Sequence, residues 1–396
     1  MINRKILISG ASIAGLTAAY WLEHYGFAVT VVERNQELRL GGQNIDVKGP
    51  AWEIIKKMQL EEKIRKANTT EVGIRFVDIN DLTVAEFPKD DALSMTQELE
   101  ILRGDLVKIL YDKVKNKATI RFGNYIQVIE DRGDRVAVNF ADDLSETFDA
   151  VIIAEGIGSS TRRKVFGNEV QFRYLGLYTS YFTATKTDTD SNWARWCNAK
   201  GGIVFLLRPD NYGTTRACIN FRSPEMGYEK LPSDQQKNLL IKKIQYSGWE
   251  GPRLIQEIMN SDDLYLERLS QVLAPRWHKG RVAMIGDAAY CVTPIGGKGT
   301  DLAISGAYII AGELCRAEHN EAFVAYEKRL RPFVAKVQKL PPGVPRLVYP
   351  KTTWGVAVLN SLFRVVGSRP AKMVMGLFSN NKKHPESELH LPDYNV

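Results

Sequence analysis

The strongest constraint in this chain is its first glycine turn. Lys5-Ile6-Leu7-Ile8-Ser9 runs into Gly10-Ala11-Ser12-Ile13-Ala14-Gly15 and then into Leu16-Thr17-Ala18-Ala19-Tyr20-Trp21-Leu22. The apolar run from Ile6 to Ile8 predicts a buried strand, and apolar positions after Ser12 recur at helical spacing, so residues 10–15 turn a strand into a helix. Gly10 permits the tight turn and Gly15 lets helix and strand pack closely, while the backbone N–H groups at the helix start face an anion with the helix dipole behind them. Ser12 stands where the G-x-G-x-x-G fingerprint has its middle glycine, and keeps a small residue near the phosphates. A second strand, 27–32, ends in Glu33 and Arg34, with the acid at the spacing that meets a ribose hydroxyl. A lone glycine turn is often only a strand-turn-helix. With the second strand and its acid, Gly10, Ser12, Ile13, Ala14, Gly15, Glu33 and Arg34 read as a site for an ADP-containing cofactor.

At 396 residues the chain is long for one core, and two joined domains are expected. Hydrophobic content of 44% and charged content of 25% exclude a disordered or membrane-spanning chain. Nothing reaches the roughly 18 consecutive apolar residues that span a bilayer, and, with Met1 to Lys5 leading straight into the first strand, no signal peptide is expected. A cytoplasmic monomer is expected. Cys197, Cys218, Cys291 and Cys315 lack a regular spacing and read as reduced, buried packing residues. The five histidines are scattered, and no metal cluster or Ser-His-Asp set is apparent. The net charge of +7 is spread out rather than gathered in basic tracts, which favours substrate steering and solubility over nucleic-acid binding.

Further along, residues 34–46 read as a polar loop with Gly41-Gly42, and 51–65 as one amphipathic helix. Residues 72–77 and 82–87 form a hairpin through Asp78-Ile79-Asn80-Asp81. Glu100-Ile101-Leu102-Arg103-Gly104-Asp105-Leu106 enters a helix, with Asp105 as N-cap and Arg103 just outside. Strands follow at 119–122, 126–130 and 136–140. Another buried strand from Asp149 ends in Glu155-Gly156, ahead of Ser159, Arg162 and Arg163. From about 170 to 269 the pattern becomes sheet-like, with strands at 178–185, 202–207 and 214–221 and helices at 235–246 and 252–259. In the 214–221 strand Ala217, Ile219 and Phe221 share one face, and Arg216, Cys218 and Asn220 the other. The polar face suits a substrate wall, although a solvated face is the commoner use. A third acid-glycine turn, Gly286-Asp287, leads to Pro294-Ile295-Gly296-Gly297-Lys298-Gly299-Thr300-Asp301 and a helix over 302–314. Helices over 321–339, 354–366 and 371–378 complete the chain.

These three turns, in this order and at these distances, resemble the group A flavoprotein monooxygenases, which share the fold of p-hydroxybenzoate hydroxylase. The resemblance spans nearly the whole chain. It implies an α/β fold: a Rossmann-like FAD-binding domain (1–70, 93–168 and 270–340), an inserted β-sheet substrate domain (71–92 and 169–269), and a C-terminal helical extension (341–396) bridging them. It places Glu33 on the FAD ribose, Arg103 at the FAD phosphates, and Asp287 on the ribityl or phosphate part. The Gly156 turn becomes the shared FAD and NAD(P)H motif, and Pro294, Gly297, Gly299, Thr300 and Asp301 run beside the flavin ring. N–H groups at the 302 helix start would stabilise the charge of reduced flavin. The chain departs from the family at Ser12, at Glu155 for Asp, at Tyr290 for His, and at Asp301 for Asn. A carboxylate at 301 is unfavourable there unless Lys298 offsets it.

Within the family the chain resembles the tetracycline-inactivating monooxygenases, through Gly41-Gly42-Gln43 with Asp46, the segment Glu100 to Leu106, Phe221-Arg222-Ser223, and Gly286 to Cys291. Gln43 and Asp46 would then lie near the flavin ring and ribityl chain, with Gln43, Arg216, Asn220 and Pro294 as substrate contacts. Arg216 would hold a substrate oxygen anion; a surface arginine or core ion pair is an equal alternative. The implied reaction consumes NADPH (or NADH) and O2 and hydroxylates an electron-rich fused-ring phenol or enol through a flavin C4a-hydroperoxide. The alternatives are hydroxylation of another aromatic polyketide, phenol or quinone, reduction of a prenyl lipid, or non-catalytic sequestration of an aromatic ligand. The halogenase signature W-x-W-x-I-P is absent, since Trp193-Ala194-Arg195-Trp196 continues as Cys197-Asn198. Trp354, Val358, Leu362 and Val365 form one apolar helix face. Core packing is its expected use, with gating a pocket or touching a membrane as alternatives.

Overall fold

The computed structural model describes residues 4–89, 91, 99–292, 297–339, 343–368 and 389–394. Pro294 and the helix expected over 371–378 lie outside the described residues. The first strand, Lys5–Ser9, runs parallel between Ala150–Ile153 and Ala28–Glu33. Val282–Met284 and Thr119–Phe122 extend this sheet on either side, and His278–Lys279 closes one edge antiparallel. Its central residues Leu7, Ile8, Val31, Ile152 and Ala283 are fully buried. Covered on both faces, such strands need continuous apolar runs, which is why the sequence shows no alternation there. Helix Ile13–His24 packs against both Arg103–Val114 and Gly299–Arg316.

The second sheet has seven strands, in the order Tyr265–Leu273, Gln171–Ala184, Thr215–Arg222, Ile203–Pro209, Trp193–Ala199, Gly73–Val77, Thr83–Pro88. Only the pairing of Trp193–Ala199 with Gly73–Val77 is parallel among these. Ala217, Ile219 and Phe221 meet Leu240, Ile244, Leu254 and Ile258 from helices Ser233–Ile244 and Gly251–Asn260, so one sheet face is sealed by an apolar layer. The opposite face carries Thr179, Cys218 and Asn220, as the period of two demands. They are buried rather than solvated.

The structure corrects several expectations. The 51–65 helix is two helices, Gly49–Lys57 and Glu61–Lys66, broken where Gln59 adopts φ +57°. Gln59 N–H bonds Lys56 O and Leu60 N–H bonds Ile55 O, a Schellman stop that a side-chain pattern does not reveal. Asp105 is not an N-cap: the helix begins at Arg103, and the Asp105 carboxylate is recruited across the chain by Asn211 Nδ2 (3.1 Å) and Tyr212 OH (2.6 Å). The 34–46 loop ends in a short strand, Asn44–Asp46, paired antiparallel with Glu100–Leu102. Strands Ser145–Phe148, Trp193–Ala199 and Tyr265–Leu273 were not expected. Helix Thr353–Val366 uses Leu359 and Phe363 against the sheet edge, leaving the face expected to pack pointing outward.

Candidate cofactor and substrate site

At the first turn the glycines are required by space as well as by conformation. Gly10 has φ +112°, and a Cβ there would sit 2.5 Å from Ala154 O; a Cβ at Gly15 would lie 1.9 Å from Gly10 O. Ser12 is the N-cap residue, yet its side chain makes no cap; its Oγ instead accepts from Arg103 Nη2 at 2.8 Å. The N–H groups of the first helical turn are therefore left open, with a half-buried guanidinium beside them, which is an anion cradle. Glu33 holds the rim by accepting from Ala11 N–H at 2.9 Å and from Asn35 N–H and Nδ2. Its carboxylate retains lone pairs for a ribose hydroxyl. Arg34 next to it is exposed.

Arg103 is fixed by donating Nη1 to Arg39 O and Gly41 O at 3.2 Å each. Gly104 enables this, because a Cβ there would lie 1.7 Å from Leu40 O. Burial lowers the Arg103 pKa from the usual arginine range. The Gly286 turn closes on the same helix start, since a Cβ on Gly286 would meet Ala14 Cβ at 3.0 Å. It delivers Asp287, whose carboxyl is pushed up by burial while Arg103 pulls it down. From the seven-stranded sheet come Tyr265, with Arg39 4.3 Å from its ring centroid, and Glu267, which accepts from Tyr265 OH at 3.1 Å. Glu267 is pushed up to about 7 by burial and by Asp287, against the pull of Arg39 and Arg103. No sequence motif points to either residue.

The second acid-glycine turn is braced by hydroxyl groups. Glu155 accepts from Ser9 Oγ (2.5 Å), Ser159 Oγ (2.6 Å), Thr161 N–H (3.0 Å) and Thr161 Oγ1. Glu155 thus ties the first strand to the helix Ser160–Phe166, which Ser159 caps. Gly156 takes φ +75° and has open space at its Cβ position. Arg162 is buried, donating to Ala288 O (3.0 Å) and Ile157 O (2.6 Å), so it braces the Asp287 helix. Tyr290 is also structural, its hydroxyl pressed against Gly306 and 3.1 Å from Tyr326 OH.

Around the later glycine loop, Gly297 has φ +58° and faces Asp46 and Lys48. Asp301 is fully buried; Lys298 Nζ stands 3.3 Å from one oxygen and Lys48 N–H donates to the other at 3.3 Å. Burial pushes Asp301 up to about 7, and the two lysines oppose this without cancelling it. Gly299 and Thr300 form the first turn of the helix Gly299–Arg316. Asp46 Oδ1 and Asn44 Oδ1 are buried with no hydrogen-bond partner among the described residues. Buried orphan acceptors on one short strand beside an open helix N-terminus fit a hydroxyl-rich, diphosphate-bearing cofactor.

A charge cluster not foreseen from the sequence lies just behind. Arg208 donates to both oxygens of Glu71 (2.7 and 2.9 Å) and to Glu100, and Asn44 Nδ2 donates to Glu100 at 2.8 Å. Both glutamates are buried. Burial pushes Glu100 up, and the neighbouring carboxylates hold Arg208 above the usual arginine range despite its own burial. On the polar face of the seven-stranded sheet, Asn220 is buried with Nδ2 3.3 Å from Cys218 Sγ; elsewhere Gln43 is half-buried with its carbonyl bonded to Arg103 N–H. Arg216 is held by Asp210 (2.9 Å) and Thr183 Oγ1 (2.7 Å), the ion-pair alternative.

The whole arrangement meets a known family description, the FAD binding domain, which matches residues 3–340. The chain belongs to the FAD-binding-domain family of flavin-dependent monooxygenases. The flavin-dependent monooxygenase eupH of Phoma sp. is 34% identical over 100% of this chain and 98% of its own. A flavin-dependent monooxygenase of Legionella longbeachae is 37% identical over 85% of this chain and 87% of its own. The crystal structure of tetracycline destructase Tet(51) superposes with a TM-score of 0.82 at 32% identity, covering 99% of this chain and 100% of that one. This monooxygenase contains no helix, among the described residues, long and apolar enough to cross a membrane.

Proposed function

We propose that this monooxygenase takes reducing equivalents from NAD(P)H and hydroxylates an electron-rich fused-ring phenol or enol, with tetracyclines as the substrates to test first. The observation that carries this reading is the end-to-end likeness to tetracycline destructase Tet(51). Bound FAD would supply the oxygen-activating chemistry. The open N–H groups of Ile13, Ala14 and Gly15, with Arg103, hold its diphosphate, and Glu33 and Asp287 take its hydroxyls. Asp46, Gln43 and the helix start at Gly299, Thr300 and Asp301 border the ring, where the helix N-terminus favours negative charge. The buried Thr179, Cys218 and Asn220 face, together with Gln43, orients the substrate and keeps water out. Pro294 belongs to the same proposed contact set.

The test follows NADPH oxidation, O2 uptake and product mass in parallel, with and without tetracycline. Stimulated oxidation and a product heavier by one oxygen atom are expected. An unchanged rate and an unchanged tetracycline mass would remove the substrate, and the same assay on phenols and quinones then searches the remaining class. Prenyl-lipid reduction without O2 uptake, or ligand binding without NAD(P)H turnover, would each replace the hydroxylase reading.

A further inference from the structure

The C-terminal helix Thr353–Val366 is apolar on two sides. Its inner side seats Leu359 and sets Phe363 4.1 Å from Phe76, ring centroid to centroid. Its outer side presents Trp354, Val358, Leu362 and Val365, exposed to 77%, 47%, 56% and 63%. At 100° per residue these four fall within a single arc of the helix surface, with no charge among them. The stripe is held in place rather than loosely attached. Thr352 Oγ1 caps the helix through Gly355 N–H, and the lead-in, which continues from the short helix Val344–Val348, is tied to the sheet by Gly201 N–H to Lys351 O, Gly202 N–H to Pro350 O and Asn198 Nδ2 to Val348 O. Leu347, 69% exposed, adds a fifth outward apolar side chain just before it.

Charge distinguishes this segment from the rest of the surface. Exposed helices elsewhere carry both signs in register, as in Lys66 with Glu62, Arg65 with Glu61 and Lys56 with Glu53. The described residues 343–368, by contrast, contain three Lys and Arg residues and no Asp or Glu. Arg346, Lys351 and Arg364 stand exposed in that segment. We infer that this face docks on an anionic lipid bilayer surface, the outer stripe entering the headgroup boundary and the cations meeting lipid phosphates. A helix with a tryptophan on its apolar side and exposed cations at its flanks has the chemistry for this. An antiparallel two-fold pairing of this helix with a second copy would instead bring Lys351 of one copy near Arg364 of the other, with no acid among residues 343–368 to offset them.

The experiment uses the full-length, FAD-loaded protein and sedimentation with vesicles of phosphatidylglycerol and phosphatidylcholine, or of phosphatidylcholine alone. Binding to the anionic vesicles is expected, weakened about tenfold or more by omitting phosphatidylglycerol or by raising sodium chloride to about 0.5 M. The double variant W354S/L362S, and separately K351E/R364E, should each lose about tenfold in partitioning while keeping the flavin content of the parent. Equal binding to neutral vesicles, no sedimentation, or unaltered partitioning of either variant would overturn the inference. So would light scattering showing a dimer that W354S/L362S splits, which makes the face a contact between copies, or a changed KM in that variant without vesicle binding, which makes it a pocket gate.

Discussion

The cradle at Gly10 to Gly15 and the cluster around Arg208 border one site and are built by opposite means. The cradle is backbone: glycines placed where any Cβ would strike a carbonyl, and N–H groups left open by a serine that declines to cap. The cluster is side-chain charge, one guanidinium shared between two buried glutamates. A backbone site fails when space is filled, whereas a charge site fails when a partner is removed or a proton moves. The difference predicts distinct responses to substitution and pH.

The largest effect is expected at Arg208. Replacing it with Met strands Glu71 and Glu100 in the interior, an uncompensated burial that costs about 3–5 kcal/mol. Urea unfolding should show this loss, and adding Glu71→Gln and Glu100→Gln to Arg208→Met should recover most of it. If the triple variant is no better than the single one, the charge account of the cluster is wrong. Next comes Gly15→Ala, which must push the helix off the first strand at a cost of about 1–3 kcal/mol. Here the informative readout is the ratio of flavin to protein absorbance, which should fall well below that of the parent. Parent-like flavin content would break the steric reading of the cradle.

Asp301 joins the two regimes, being a charge on a helix N-terminus. Its folded pKa of about 7 lies above that of an unfolded aspartate, so between about pH 4 and 7 the folded state binds more protons. Its contribution to stability is therefore greatest at the acid end and declines as pH rises to about 7. Asp301→Asn should flatten that part of the melting temperature against pH curve and raise stability at pH 8 by about 1–2 kcal/mol. An unchanged slope would show that Lys298 and Lys48 already offset the charge. The smallest effect belongs to Ser159→Ala, which removes the cap accepting from Arg162 N–H, worth about 1 kcal/mol in thermal unfolding. Flavin content should stay at the parent level, because Glu155 keeps its bonds from Ser9 and Thr161.

What could be read in advance follows the range of the interactions. Strand, turn and helix at residues 5–24 rest on contacts within a few residues, and the Gly286 and Gly297 turns are local in the same way. The Schellman stop at Gln59 was hidden because its signal is a left-handed backbone at a residue with no preference for one. Tyr265 and Glu267 were missed because their strand alternates without a turn signal, and their roles arise from Arg39, Arg103 and Asp287 far away in sequence. The departures at Glu155 and Tyr290 also needed neighbours: a three-residue hydroxyl set for one, the space above Gly306 for the other.

By itself the sequence determined the buried parallel strands and the glycine turns, because apolar periodicity and the steric freedom of glycine act over a few residues; the flavoprotein fold followed from the family resemblance that those turns carry. Only the tertiary structure decided which charges are paired, which acceptors are orphaned, and which side of the last helix faces out. Those depend on residues brought together from distant parts of the chain, where burial sets the value of every charge and every apolar surface.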